Sequence, residues 1–210
     1  MTVSIQLKNI GKKFGREWIF KGITYQIDAG DKLVILGGNG SGKSTLLQVI
    51  SGFVSPNEGE LIYSSTSSPS IEPDKINEVV SLASPYLQLI EDFTAIEMIE
   101  HVAFFKPLVD QLSAIKILEI IELSAAKEKY IKQFSSGMKQ RLRLGLAILA
   151  NTPVLLLDEP VSNLDRKAIT WYKQMIETYA KSKTVIVCSN AIEDEYFFCT
   201  KQLDVMAYKN

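Results

Sequence analysis

An α/β fold with a mostly parallel sheet, antiparallel strands at the N-terminus and an inserted helical lobe is predicted by three stretches of the chain. The first is Lys32-Leu33-Val34-Ile35-Leu36, a buried-strand pattern that runs into Gly37-Gly38-Asn39-Gly40-Ser41-Gly42-Lys43-Ser44-Thr45 and then into a helical stretch over 44–50. The second is Val154-Leu155-Leu156-Leu157, a continuous apolar run ending in Asp158-Glu159-Pro160. Uninterrupted apolar strands belong to parallel sheets covered on both faces, and such sheets bind ligands at their C-terminal edge. The third is the stretch from about 85 to 133, where apolar residues recur at helical spacing and no strand pattern intervenes.

The composition sets the bounds. A chain of 210 residues fits one large domain or one domain with an added lobe, and 46% apolar residues suffice for a core. The net charge of −1 provides no global field for nucleic acid or an anionic membrane. Cys188 and Cys199 do not make a disulfide framework, so a reducing, cytoplasmic compartment fits. Residues 1–13 carry no apolar signal-peptide core, and no run approaches the roughly 18 apolar residues of a membrane span.

Taken in order, Val3, Ile5 and Leu7 alternate with Ser4, Gln6 and Lys8 in a half-exposed strand over 2–10. A turn at Gly15-Arg16 leads to a second strand ending near Ile27, and Asp28-Ala29-Gly30-Asp31 is a tight turn into the strand before the glycine loop. Phe14, beside Gly15, can stack on a base or serve as an ordinary core or surface aromatic. After a turn-rich stretch over 52–59, residues 60–63 read as a short strand, the serine-rich 64–70 as a solvated connection, and 78–83 as another strand. Ser84-Pro85 interrupts it. Thr94 with Glu97 forms a capping box ahead of Ile96, Ile99 and Ala103, and 113–123 repeats the helical period. Ser135-Ser136-Gly137 opens a helix with Leu142, Leu146 and Leu149 on one face and Lys139, Arg141 and Arg143 on the other. Ile169, Tyr172, Met175, Ile176 and Tyr179 mark an amphipathic helix, and 184–188 reads as the final strand, ending in Ser189-Asn190.

The glycine loop satisfies G-x-x-x-x-G-K-S/T at Gly37, Gly42, Lys43 and Ser44. That spacing lets backbone N–H groups wrap a phosphate chain at close range, with a helix N-terminus adding donors and dipole. Lys43 is placed to reach the β- and γ-phosphates and Ser44 to ligate Mg²⁺. A glycine turn that binds nothing is the plainer alternative; the strand–loop–helix context makes it the rarer one. The core is therefore read as a P-loop NTPase, with 37–45 holding a nucleoside triphosphate. Paired acids after a strand often only cap the next helix. Coupled with this loop, Asp158 becomes the candidate to hold the metal with Ser44, and Glu159 the candidate to polarise the attacking water.

Four segments give the chain a family resemblance. They are 37–45, Phe134-Ser135-Ser136-Gly137-Met138 followed by Lys139-Gln140-Arg141, the acidic strand 154–160, and Ser162-Asn163-Leu164-Asp165. In order and spacing they resemble the phosphate loop, signature, acidic strand and D-loop of an ABC transporter nucleotide-binding subunit. The resemblance covers most of the chain, about 2–210. It implies ATP and Mg²⁺ as ligands, with Phe14 stacking on adenine and all residues of 37–45 around the phosphates. It implies head-to-tail pairing with a second ATP-binding subunit, Ser135, Ser136 and Gly137 facing the partner's γ-phosphate. It implies an integral membrane permease as the other partner, engaged through the helical lobe and the segment 84–92. The chain would then lie on the inner face of the cell membrane. One ATP-binding domain over 1–210 is expected, with a core at about 1–84 and 134–210, a lobe at about 85–133, and no appended module after Asn210.

Four positions, in three segments, depart from the family pattern. Asn190 stands where the family places its switch histidine, joining Glu159 and Lys43 in the implied catalytic set, and it cannot titrate. The lone histidine, His101, lies on the lobe and reads as an ordinary surface or core residue. Pro85 stands about nine residues before Thr94, where the family carries a glutamine, with Gln88 three residues further on. Ser136 and Met138 replace a glycine and a glutamine of the signature. These departures set a second function beside ATP-driven transport, an ATP-dependent switch with slow turnover. A soluble relative acting on ribosomes or DNA is disfavoured, because the sequence shows no second phosphate loop and no long heptads.

Overall fold

A computed structural model describes residues 2–66 and 68–209; Met1, Asn210 and Ser67, the last within the expected serine-rich connection, lie outside them. The chain divides into two compact units, one of Met1–Leu82, Thr152–Glu159 and Ser182–Asn210, the other of Ala83–Asn151 and Pro160–Lys181. In chain order the first elements are β1 (Val3–Phe14), β2 (Glu17–Ile27), β3 (Lys32–Leu36), α1 (Lys43–Ile50), β4 (Glu58–Ser65), β5 (Ser68–Ile71), α2 (Ile76–Val79) and β6 (Val80–Ala83). They continue with α3 (Ala95–Phe105), α4 (Ala114–Ile120), α5 (Ser136–Ile148), β7 (Val154–Asp158), α6 (Arg166–Tyr179), β8 (Thr184–Ser189), α7 (Glu193–Tyr196) and β9 (Lys201–Asp204).

The first unit is built on two sheets. Val3, Ile5 and Leu7 of β1 are buried and Lys8 is exposed, as the alternation requires. β1 pairs antiparallel with β2 and with β4, and β5 completes the order β2-β1-β4-β5. The other sheet runs β6-β7-β8-β3-β9, with β7/β8, β8/β3 and β3/β9 parallel. Every residue of β7 and β8 is buried, the environment that selects their unbroken apolar runs. One core joins Ile5, Leu7 and Ile10 with Leu33 and Ile35, Leu46, Leu47 and Ile50 of α1, and Leu156. Tyr63, wholly buried in that core, donates its hydroxyl to the Ile50 carbonyl at 2.7 Å and so satisfies an acceptor that the end of α1 leaves open.

Parallel register sets the functional edge of this unit. Leu36 stands opposite Ser189, and Asp158 opposite Cys188. Gly37, Glu159 and Asn190, each one residue past its strand, therefore emerge side by side at the C-terminal edge.

The second unit is helical, and each long helix starts on a short polar side chain that accepts an otherwise unpaired N–H. Thr94 accepts from Glu97 N while Glu97 accepts from Thr94 N at 2.7 Å, completing the expected capping box. Ser113 caps α4, Ser135 caps α5 and Asp165 caps α6. Leu142, Leu146 and Leu149 are buried as their spacing predicts. Trp171 of α6 donates to the Ile120 carbonyl at 2.8 Å, binding α6 to the end of α4. His101 is exposed and packs edge-on against Phe93 and Phe105, an ordinary surface position. Among the described residues, no helix is long and apolar enough to cross a membrane.

Three local expectations are corrected. The serine-rich connection is a second arm of sheet: β5 pairs antiparallel with β4, and Ser65 Oγ accepts from Ser68 N at 3.0 Å across the turn. The strand expected over 78–83 begins only at Val80, because Ile76–Val79 forms one helical turn. Residues 184–188 are not the last strand. β9 follows and pairs parallel with β3, its sole buried residue being Leu203.

Candidate functional site

The loop between β3 and α1 holds its shape because glycine is required at both ends. A Cβ on Gly37 would sit 2.5 Å from Ser41 Oγ and 2.8 Å from Val205 Cγ1. Gly42 has φ +102°, and a Cβ there would sit 2.5 Å from Ile19 Cγ2. Ser41 N donates to Gly38 O at 3.1 Å, which tightens the turn, and Leu46 N to Gly42 O at 2.8 Å starts the helix. Among the described residues, the buried Ser41 Oγ has no hydrogen-bond partner. A buried hydroxyl of this kind fits a bound phosphate oxygen. Asn39 and Gly40 are exposed at the tip, and Lys209 donates to Gly40 O at 3.2 Å.

Lys43 folds back into this loop. Its ammonium donates to Gly37 O at 2.8 Å, Gly38 O at 3.1 Å and Asn190 Oδ1 at 2.5 Å, and the residue is only 4% exposed. The Asn190 amide in turn donates to Glu159 Oε1 at 2.8 Å. A hydrogen-bonded chain thus runs from ammonium to amide to carboxylate, one member from each of α1, the β8 edge and the β7 edge. Glu159 itself takes φ +46°, and its N–H donates to Cys188 O at 3.0 Å. One residue earlier, the buried Asp158 accepts from Ser44 Oγ at 3.1 Å. This hydroxyl and carboxylate form a hard-oxygen donor pair suited to Mg²⁺ beside phosphate oxygens. Burial, reinforced by the Asp158 carboxylate, pushes the Cys188 thiol well above its ordinary value, so it stays a neutral packing group bonded to Lys43 O.

Phe14 ends β1 and is 54% exposed, with Lys12 Nζ 5.3 Å from its ring centroid. It lies on the hairpin whose β2 strand, through Ile19 and Phe20, packs on Gly42.

The second unit assembles the other expected segment. Ser135 Oγ accepts from Met138 N at 3.2 Å, leaving Ser135 and Ser136 exposed at the start of α5. Gly137 lies so close to the 162–165 segment that a Cβ would meet Asn163 O at 3.2 Å. The two segments line one open groove of about 720 Å³ with Glu122, Arg141 and Lys167. Arg141 holds the Glu122 carboxyl at 2.7 Å and keeps it below the usual carboxylate range. Lys43, Ser44, Asp158, Glu159 and Asn190 are thus brought together in one unit, and Ser135, Ser136 and Gly137 join 162–165 in the other. Sequence reasoning missed Val205 against Gly37 and Lys209 at Gly40; neither residue carries a motif.

A family model described as ABC transporter matches residues 20–162, more than half of the chain. The lantibiotic transport ATP-binding protein SrtF of Streptococcus pyogenes is 27% identical over 191 residues, 91% of this chain and 81% of that protein. The putative hemin import ATP-binding protein HrtA of Staphylococcus haemolyticus is 30% identical over 197 residues, 88% of each. The dimeric structure of the bacterial ABC transporter cassette MJ0796 aligns with a TM-score of 0.78 at 25% identity, over 96% of this chain and 95% of that one. The same cassette, solved in a post-hydrolysis state with ADP and Pi, aligns equally well, with a TM-score of 0.78 at 25% identity over 95% and 93% of the two chains. The phosphate loop, the acid-tipped β7 and these likenesses together place the chain in the ABC transporter family, as an ATP-binding cassette with ATPase activity.

Proposed function

We propose that two copies of this chain pair head to tail around ATP and drive the movement of an integral membrane permease, which holds them at the inner face of the cell membrane. Phe14 stacks on adenine and 37–45 wraps the phosphates, Lys43 exchanging its loop carbonyls for β- and γ-oxygens. Ser44 and Asp158 hold Mg²⁺. That ion, when bound, neutralises charge on the phosphate oxygens. Glu159 orients the attacking water, and the Asn190 amide positions Glu159 against Lys43. Ser135, Ser136 and Gly137 of one copy donate to the γ-phosphate held by the other, as the N–H groups at a helix start do for anions. Within 84–92, the exposed Tyr86, Leu87 and Ile90 suit contact with an apolar partner surface. Nucleic acid plays no part in this reading.

The observation that carries the reading is the polar edge at which the Ser44–Asp158 pair lies beside the Lys43–Asn190–Glu159 chain. Steady-state hydrolysis by the parent and by Glu159→Gln tests it. Loss of a water-orienting base lowers turnover by about 100-fold or more while ATP still binds. A rate untouched by the substitution refutes hydrolysis through Glu159. One observation favours the second reading, a slow ATP-dependent switch: Asn190 cannot accept a proton where the family pattern has histidine. A parent rate no higher than that of Glu159→Gln, with ATP-dependent pairing intact, selects the switch.

A further inference from the structure

Within the second unit, the segment 84–92 is tied to α5 by two side chains one helical turn apart. Arg143 Nε donates to Leu87 O at 2.9 Å, and Lys139 Nζ pairs with Glu91 Oε1 at 2.5 Å. Residues four apart share a helix face, so both cations reach the same segment. With Gln88 and Leu89 they line a groove of about 440 Å³. Burial lowers the Arg143 guanidinium from its ordinary value, which marks the bond to Leu87 O as partly desolvated. A charge-assisted hydrogen bond gains strength in such surroundings. The Lys139 side chain is 22% exposed against 60% for Glu91, so the cation is held and the acid faces outward.

The far end of the segment is fastened separately. Ile131 N donates to Phe93 O at 2.8 Å and Lys132 N to Glu91 O at 3.0 Å, while Lys132 Nζ pairs with Asp92 at 2.9 Å. Residues 131–132 lead directly into Phe134 and the start of α5. The segment is therefore bonded both to the chain entering α5 and to the body of α5 itself.

We infer that Lys139 and Arg143 are positioning residues that make 84–92 and the start of α5 one mechanical body, so that a displacement of either end reaches the other. Their role rests on the reading above, in which the α5 start engages ATP on a second copy. Hydrogen exchange in the Glu159→Gln protein tests it. ATP slows amide exchange at 135–138 and, through the two cations, at 86–92. With Lys139→Ala and Arg143→Ala added, protection at 135–138 persists, while the ATP-linked protection at 86–92 falls by about tenfold or more, the order expected for losing a charge-assisted hydrogen bond. Exchanging the charges, Lys139→Glu with Glu91→Lys, preserves most of the response, which a merely unfolded segment does not predict. Glu91→Gln, altered at an exposed side chain, gives a smaller loss without risk to the fold. ATP-linked protection at 86–92 that survives both Glu91→Gln and the double alanine variant overturns the coupling and leaves the ATP reading standing. Absence of protection at 135–138 before any clamp residue is changed overturns the ATP reading, and the coupling with it.

Discussion

Alanine placed at three glycines of one loop separates backbone strain from steric exclusion. At Gly42, φ +102° costs an L-residue about 1–2 kcal/mol. The new Cβ also falls 2.5 Å from Ile19 Cγ2 and 3.2 Å from Phe20 Cδ1. Overpacking of that degree adds about 1–3 kcal/mol. Gly42→Ala therefore loses about 2–5 kcal/mol, a fall in Tm of roughly 5–15 °C for a chain of this size. Gly40 has φ +71° but no described residue within 4 Å of its Cβ position, so Gly40→Ala bears the strain alone, about 1–2 kcal/mol. Gly38 has neither positive φ nor, among the described residues, a neighbour within 4 Å of its Cβ position. Gly38→Ala is expected to stabilise by a few tenths of a kcal/mol, through loss of freedom in the unfolded chain. Denaturant unfolding of the three variants, with ATP affinity measured by a fluorescent analogue, gives the comparison. The order Gly38, Gly40, Gly42 in increasing damage is the expected result, with ATP binding lost at Gly42. Equal stability for Gly42→Ala and Gly38→Ala would refute the account of the loop.

Other outcomes follow from single contacts. Tyr63→Phe strips the hydroxyl from Ile50 O inside the buried core and lowers stability by about 1–3 kcal/mol, read by urea unfolding, with ATP affinity unchanged. Burial, with the neighbouring Lys32, pulls Lys183 down to about 8. The unfolded chain thus holds the proton over a pH range where the folded one has released it, and the Lys183 contribution to stability rises with pH from about 8 to the ordinary lysine value. The stability difference between parent and Lys183→Met, followed from pH 7 to 10.5, should therefore shift in the parent's favour; a flat difference contradicts it. Asp158→Asn should leave nucleotide affinity largely intact without metal and abolish the gain that Mg²⁺ confers, measured by titration with and without the ion.

Much of this architecture was legible because each signal was local. The unbroken apolar run of β7 and the capping box of Thr94 with Glu97 need only a few neighbouring residues to be read. β9 escaped because a short edge strand with one buried residue, Leu203, has no period to detect. β5 escaped because serines that bond to one another across a turn resemble a solvated loop in composition. At the site, the sequence identified Lys43 and Glu159 as candidates, and the family resemblance added Asn190. The hydrogen-bonded chain joining them depends on the parallel register of three strands far apart in sequence, which no motif spells out. Val205 against Gly37 is a steric fact of the same kind.

The central claim is that the phosphate loop is half of a site completed by a second copy. Light scattering of the Glu159→Gln protein at fixed concentration, with and without ATP and Mg²⁺, tests it most directly. The account predicts a mass that doubles on adding ATP, and a doubling abolished by Gly137→Glu, which sets a carboxylate at the α5 start. A mass that stays at that of one chain under saturating ATP, or a doubling indifferent to Gly137→Glu, would contradict it.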